Sequence, residues 1–242
     1  MSTSEEITRW RASGPYLLRL VSKTSLLEEA RLFLQTYARL GNFEATRQEL
    51  VDGGLPQRSR ATRQTIVEIV RLRLVRWNPP AWVLADLVAF ARDGHQADLQ
   101  AALLLHTARQ DNLLYDIIQH MVVPRWMDDE RELIRADIQR FLDGVQAEHP
   151  EVMGWSHATR EKLSSNVLST LHDFGLLQGK ATREIVEPPV PQAVVQHLIR
   201  LLRDEGIAEA DMAQHPDWQL WLWDADRVQK ALDAPLRQEY TV

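Results

Sequence analysis

Residues 59–74, SRATRQTIVEIVRLRL, and residues 156–171, SHATREKLSSNVLSTL, open on the same pattern 97 positions apart. Ser59-Arg60-Ala61-Thr62-Arg63 matches Ser156-His157-Ala158-Thr159-Arg160. The apolar phase continues the match, with Ile66 aligned to Leu163, Val70 to Val167 and Leu74 to Leu171. A hydroxyl residue followed by apolar positions at helical spacing reads as a capped amphipathic helix. S-x-x-T is a common helix start, so the first five residues alone carry little. The shared apolar phase over a further turn or two favours duplication of a helix-turn-helix unit over convergence.

Working outward from the first copy, Leu26, Leu27, Ala30, Phe33, Leu34, Tyr37 and Leu40 form one apolar stripe that stops at Gly41. Phe43, Thr46, Leu50 and Val51 form a shorter one that stops at Gly53-Gly54. The 59–74 helix ends before Asn78-Pro79-Pro80. Helices are expected at about 80–92, 95–109, 111–123 and 128–148, the last capped by Asp128, with Asp129 and Glu130 favouring its positive end. The second copy runs from Ser156 to Phe174, with Gly175 as its C-cap. After it the periodicity changes: Leu176-Leu177, the turn Gln178-Gly179-Lys180 and Thr182–Val186 read as a short β-hairpin ended by Pro188-Pro189. Helices return at Gln192–Arg203 and near Asp224–Leu232, around a tail containing Trp218, Trp221 and Trp223. The expected fold is mainly α, a helical bundle with two helix-turn-helix-like units, the second followed by a β-hairpin wing. Its expected divisions are an N-terminal helix-turn-helix domain (1–78), a helical middle segment (79–150) and a winged-helix-like C-terminal domain with the Trp-rich tail (151–242).

Charge is unevenly placed. The 242 residues carry a net charge of −6, yet residues 1–80 are locally +5 and residues 81–242 locally −11. Pro56–Arg76 holds six arginines against one acid, Glu68. Affinity for a polyanion follows the field near the contact, not the whole-molecule balance. In a helix-turn-helix the start of the second helix faces the major groove, and its free N–H groups add anion affinity there. Arg58, Arg60 and Arg63 lie at that position in the first copy, Arg160 and Lys162 in the second, and Lys180 and Arg183 at the wing. These seven are the candidate DNA-binding residues. Arg71, Arg73 and Arg76 sit toward the far end of their helix, where at least some of them are expected to pair with acids or with helix-end carbonyls.

Several chemistries are excluded. There is no cysteine, hence no disulfide framework, thiolate metal site or cysteine nucleophile. The opening stretch MSTSEEITRWRASG is polar, and apolar runs such as Ala101–Leu105 and Ala81–Ala91 fall short of the ~20 residues that span a bilayer. A cytoplasmic protein without a membrane partner is expected. No Gly-rich phosphate loop, H-E-x-x-H or G-x-S-x-G is present. His106 and His120 lack a partner at i+4, and Asp128-Asp129-Glu130 reads as capping in preference to a metal cluster. The three tail tryptophans read as core or a protein anchor in preference to a base-stacking platform.

Residues 25–31 (Ser25-Leu26-Leu27-Glu28-Glu29-Ala30-Arg31), the Arg58–Leu74 helix, His149-Pro150-Glu151, Trp155-Ser156 with Thr159-Arg160 and Lys162-Leu163, and Phe174-Gly175-Leu176-Leu177 resemble the BrxA family of BREX (bacteriophage exclusion) defence loci. The resemblance covers roughly 16–190. It is most specific over 149–189, where Ile185 and Pro188-Pro189 also fit, and is weakest after about Glu205. It implies a helical protein with helix-turn-helix and winged elements that binds DNA and has no known catalytic activity. An older inner-membrane label of the family finds no spanning segment here. The expectation is a non-catalytic, double-stranded DNA-binding accessory factor without cofactor, metal or small-molecule substrate, working beside other BREX proteins. The alternatives are a protein-interaction scaffold that uses the acidic 81–242 segment and the Trp-rich tail, and an RNA-binding helical module.

Overall fold

The computed structural model describes residues 11–92, 95–179 and 183–233. Its spine is α6 (Gln96–Arg109), in which every residue from Ala101 to Arg109 is buried. A helix apolar all round must be covered on every side. The cover comes from α2 (Leu27–Leu40), α4 (Arg60–Leu74), α5 (Ala81–Phe90), α7 (Asn112–Ile117), α11 (Gln192–Asp204) and the 3₁₀ turn Pro216–Trp221, all of which pack against it.

The first unit is α2, α3 (Phe43–Glu49, extended by a π turn through Gly54) and α4, with α1 (Arg19–Ser22) preceding them. Leu26, Ala30, Phe33, Leu34, Thr46, Leu50 and Val51 are buried, as their spacing predicts. Gly41 stops α2 at φ +62°, a conformation glycine adopts without a Cβ penalty. In the middle of the chain α7 continues through a π turn (Ile118–Val122) into α8 (Val123–Met127).

The helix expected from Asp128 is α9, and it spans only Arg135–Gly144. The preceding residues are extended instead. Glu132 bridges Glu184, Leu133 N–H donates to Arg183 O (2.9 Å) and Ile185 N–H to Arg131 O (2.7 Å). Burial of Leu133 at 1% exposure rewards that pairing. Asp128 and Asp129 therefore lie in the turn closing α8 and do not cap α9; the Asp137 carboxylate accepts the Ile134 N–H at 2.8 Å and does so in their place. The hairpin falls where expected, with β1 (Leu177–Gln178) antiparallel to β2 (Glu184–Ile185) and Leu177 opposite Ile185. The 131–133 stretch thus flanks β2 on its other edge. α10 (His157–Asp173) packs against α9, α1 and β1.

The C-terminal part holds α11, α12 (Glu209–Met212), the 3₁₀ turn and α13 (Ala225–Asp233). Trp218, Trp221 and Trp223 are all buried and pack on one another, ring centroids 5.9–6.1 Å apart. Trp218 Nε1 donates to Met212 O (2.8 Å) and Trp221 Nε1 to Ala101 O (3.3 Å), so the Trp cluster is core that clamps the tail onto α6.

Two polar sets centred on α6 interrupt this core. His106 of α6 and His197 of α11 share a hydrogen bond between Nε2 atoms (2.9 Å), and His197 Nδ1 meets Asp86 (2.8 Å). At the C-terminal end of α6, the Arg109 guanidinium pairs with the buried carboxylates of Asp217 (3.1 Å) and Glu205. Arg11 reaches Asp217 through Nη1 and Nη2, both at 3.0 Å, and Tyr115 donates its hydroxyl to the same carboxylate (3.0 Å). Burial alone would raise the Asp217 pKa, but Arg109 and Arg11 outweigh it and the carboxyl titrates below its ordinary value. Burial lowers the neighbouring His215 to about 4 and pushes His106 well below its usual value.

Replacing Asp217 by Asn leaves Arg109 buried with too little negative charge, which should cost about 3–5 kcal/mol in urea unfolding. The pH dependence follows from the signs. His106 and His215 have folded pKa values below their ordinary 6.5, so their stability contribution is complete above about pH 6.5 and is lost as pH falls below it. The lowered Asp217 pKa adds a further loss below about pH 4. A melting temperature that rises on acidification from pH 7 to pH 5 would contradict this.

Candidate nucleic-acid interface

The two related helix starts fold in the same way. Thr62 N–H donates to Ser59 Oγ (3.4 Å) and Thr159 N–H to Ser156 Oγ (3.2 Å). Arg63 N–H returns to Ser59 O (3.1 Å) and Arg160 N–H to Ser156 O (3.0 Å), closing the first turn of α4 and α10 respectively. Each Ser satisfies one of the unpaired N–H groups of its helix start. The aligned apolar residues Ile66 and Leu163, Val70 and Val167, and Leu74 and Leu171 are all buried.

The arginines aligned at 63 and 160 also share a role. Arg63 donates Nε to Val51 O (2.7 Å) and Nη1 to Gln57 O (2.6 Å) and Arg58 O (3.0 Å), tying α4 to the π turn that ends α3. Arg160 bonds Asp143 and Gln139 O (3.3 Å), tying α10 to α9. Both are half-buried staples between the two helices of their unit.

Three of the remaining candidates, Arg58, Arg60 and Lys162, face outward. Arg58 and Lys162 are exposed, and no hydrogen bond or ion pair from either side chain occurs among the described residues. Arg60 is exposed and reaches Asp52 at 3.2 Å, a pair of two solvent-facing groups worth about 0–1 kcal/mol and easily exchanged for another anion. Arg183 begins the β2 arm, with its side chain half-buried and its Nη1 without an acceptor among the described residues. Lys180 lies outside the described residues. Of the three later arginines, Arg73 and Arg71 find partners, whereas the Arg76 side chain makes no hydrogen bond or ion pair among the described residues. Arg73 is buried and donates to Ser25 O (2.7 Å) and Thr24 O (2.9 Å), burial lowering it to about 10. Arg71 pairs with Glu68 (3.0 Å). No group of three or more His, Asp or Glu able to hold a metal occurs among the described residues, and no described helix is long and apolar enough to cross a membrane.

The BrxA family model matches residues 14–201, well over half of the chain and both helix starts with it. The chain belongs to the BrxA family. It is thereby a protein associated with BREX phage defence. The BrxA match spans the β-hairpin and most of α11 and stops before the buried Trp turn. No curated protein matches the sequence. Among solved structures it is similar to an uncharacterized protein from Magnetospirillum magneticum, with 18% identity and a TM-score of 0.65 over 87% of this chain and 100% of that one. At that identity the likeness is one of fold.

Sequence reasoning placed the helix starts but did not single out Arg135, an exposed cation at the first position of α9 near Arg183. It had been absorbed into a longer expected helix, and the signal that separates it is the buried Leu133 two residues before it.

Arg63→Ala removes the partner of three carbonyls and should lower stability by about 1–3 kcal/mol, whereas Arg58→Ala should change it by less than about 0.5 kcal/mol. Paired thermal melts check the contrast, and equal losses would contradict the division into staples and outward cations.

Proposed function

We propose that this chain binds double-stranded DNA as a non-catalytic, cytoplasmic accessory factor of its defence system, chiefly through phosphate contacts. Arg58, Arg60, Lys162, Lys180 and Arg183 meet phosphates, while Arg63 and Arg160 hold in shape the helix starts that present them. The observation that carries the reading is the paired geometry: two Ser-capped helix starts, each stapled by an arginine to the preceding helix and each bearing outward cations. Free helix-start N–H groups and the helix dipole reinforce anion affinity at both places.

The second unit adds a topological argument. A helix (α7 through α8), an extended strand at 131–133, two helices (α9 and α10) and the β1–β2 hairpin follow one another, and β2 lies between the other two extended segments. This is the order of a winged helix, in which α10 takes the place of the recognition helix and the hairpin that of the wing. Arginine at a helix start serves phosphate or guanine equally, so sequence preference is modest. The scaffold alternative keeps the acidic surface of 81–242 but loses its Trp anchor, which is core. An RNA-binding module shares the charge argument, and competition between duplex DNA and structured RNA separates the two.

With five phosphate contacts, log K should fall with log salt at a slope of about −4 to −5 in a fluorescence-anisotropy titration. Arg58→Glu with Arg60→Glu should abolish binding and leave the helical circular-dichroism spectrum intact. A flat salt response, or full affinity in the double variant, would overturn the reading.

A further inference from the structure

Beside the wing lies an open cleft of about 400 Å³, walled by α10, the start of β2 and the 133–135 connection. That volume falls in the range of small-molecule sites, about 300–1,000 Å³. Arg183 enters it from a fixed position, since its own carbonyl accepts the Leu133 N–H (2.9 Å) in the strand ladder. Its Nη1 is buried and has no acceptor among the described residues. Arg71, Arg109, Arg131 and Arg160 also each leave one buried nitrogen without a hydrogen-bond acceptor, but all four guanidinium groups pair with a carboxylate, whereas the Arg183 side chain makes no hydrogen bond or ion pair among the described residues. A buried guanidinium N–H without a partner is a costly arrangement unless a ligand supplies the acceptor.

The second cation is Arg135, whose nearest carboxylate, Glu161, stands at 4.0 Å, beyond hydrogen-bond length. The cleft is not purely ionic. Leu133 and Leu168 are buried in its wall, and Ile134 is a large apolar side chain 46% exposed beside them. Ser165 and Ser169 spend their protons on carbonyls one turn back, of Glu161 and Ser165 respectively, each at 3.1 Å. Their oxygens remain free to accept. The cleft thus combines guanidinium donors that match phosphate, an apolar wall, and hydroxyl acceptors for an N–H.

We propose that this cleft is a binding site for a nucleoside 5′-phosphate: the phosphate on Arg183 and Arg135, the base and sugar against Leu133, Ile134 and Leu168, and a base N–H on Ser165 or Ser169. The site shares Arg183 with the duplex reading but does not depend on it. The same group comes either as a free nucleotide or as one nucleotide of a strand.

The test titrates the full chain with deoxyadenosine 5′-monophosphate, deoxyadenosine and inorganic phosphate separately, following amide shifts by NMR. The monophosphate should saturate with a Kd on the order of 1 mM or tighter, and the other two should bind at least about tenfold more weakly because each meets only part of the cleft. Arg183→Ala should weaken the monophosphate about tenfold or more and Arg183→Lys less, since the charge stays but the fork is lost. Arg58→Glu with Arg60→Glu should leave monophosphate binding unchanged. Inorganic phosphate binding as tightly as the nucleotide, affinity untouched in a folded Arg183→Ala protein, or no saturation at all would each overturn the proposal. A parallel duplex titration separates the two readings. Monophosphate binding without duplex binding sinks the duplex reading alone, and duplex binding without monophosphate binding sinks the cleft alone.

Discussion

A guanidinium at the end of a helix buried on all sides is the constraint around which the rest of this protein is arranged. Arg109 sits at the C-terminal end of α6, where the helix dipole favours a cation but where no water is available to solvate one. Burial brings its pKa down to about 10, and the negative charge of Asp217 works against that shift. Asp217 and Glu205 come from the C-terminal third of the chain and Arg11 from its beginning. Neutralising one buried charge therefore ties both ends of the described chain to the spine, and the Trp218–Trp221–Trp223 cluster packs against the same helix face through Ala101. With α6 held in this way, α4 and α11 have a fixed surface to pack on.

The two Ser-capped helix starts solve a smaller version of the same problem. A connection between two helices leaves carbonyls and N–H groups without partners, and the aligned Arg63 and Arg160 fill that need with the serine caps. Within a run of basic residues, charge thus divides by geometry. Side chains that fold back on the preceding helix shape the unit, and others two to five positions away point into solvent. Arg58, Arg60 and Lys162 are of the second kind.

Much of this was legible in the sequence because the apolar phase of an amphipathic helix is written locally. The stripe from Leu26 to Leu40, the stop at Gly41, the Ser59 and Ser156 caps and the hairpin after Gly175 all depend on residues within a few positions of one another. What stayed hidden depends on distant partners. Residues 131–133 read locally as part of a helix, and become extended because β2, some fifty residues on, offers a pairing edge. Arg11 and Asp217, 206 positions apart, have no common local signal. The exposure of Ile134 and the cleft beside Arg183 appear only once α9 is shortened to start at Arg135.

The central claim, that two related helix starts and the wing form the surface that meets duplex DNA, is tested most directly by hydrogen exchange of the full chain with and without a saturating duplex. The account predicts slowed exchange around residues 57–64, 156–163 and the wing, with no change along α6 or in the Trp218–Trp223 core. Protection confined to the acidic middle segment or the C-terminal part, with both helix starts unaffected, would contradict it.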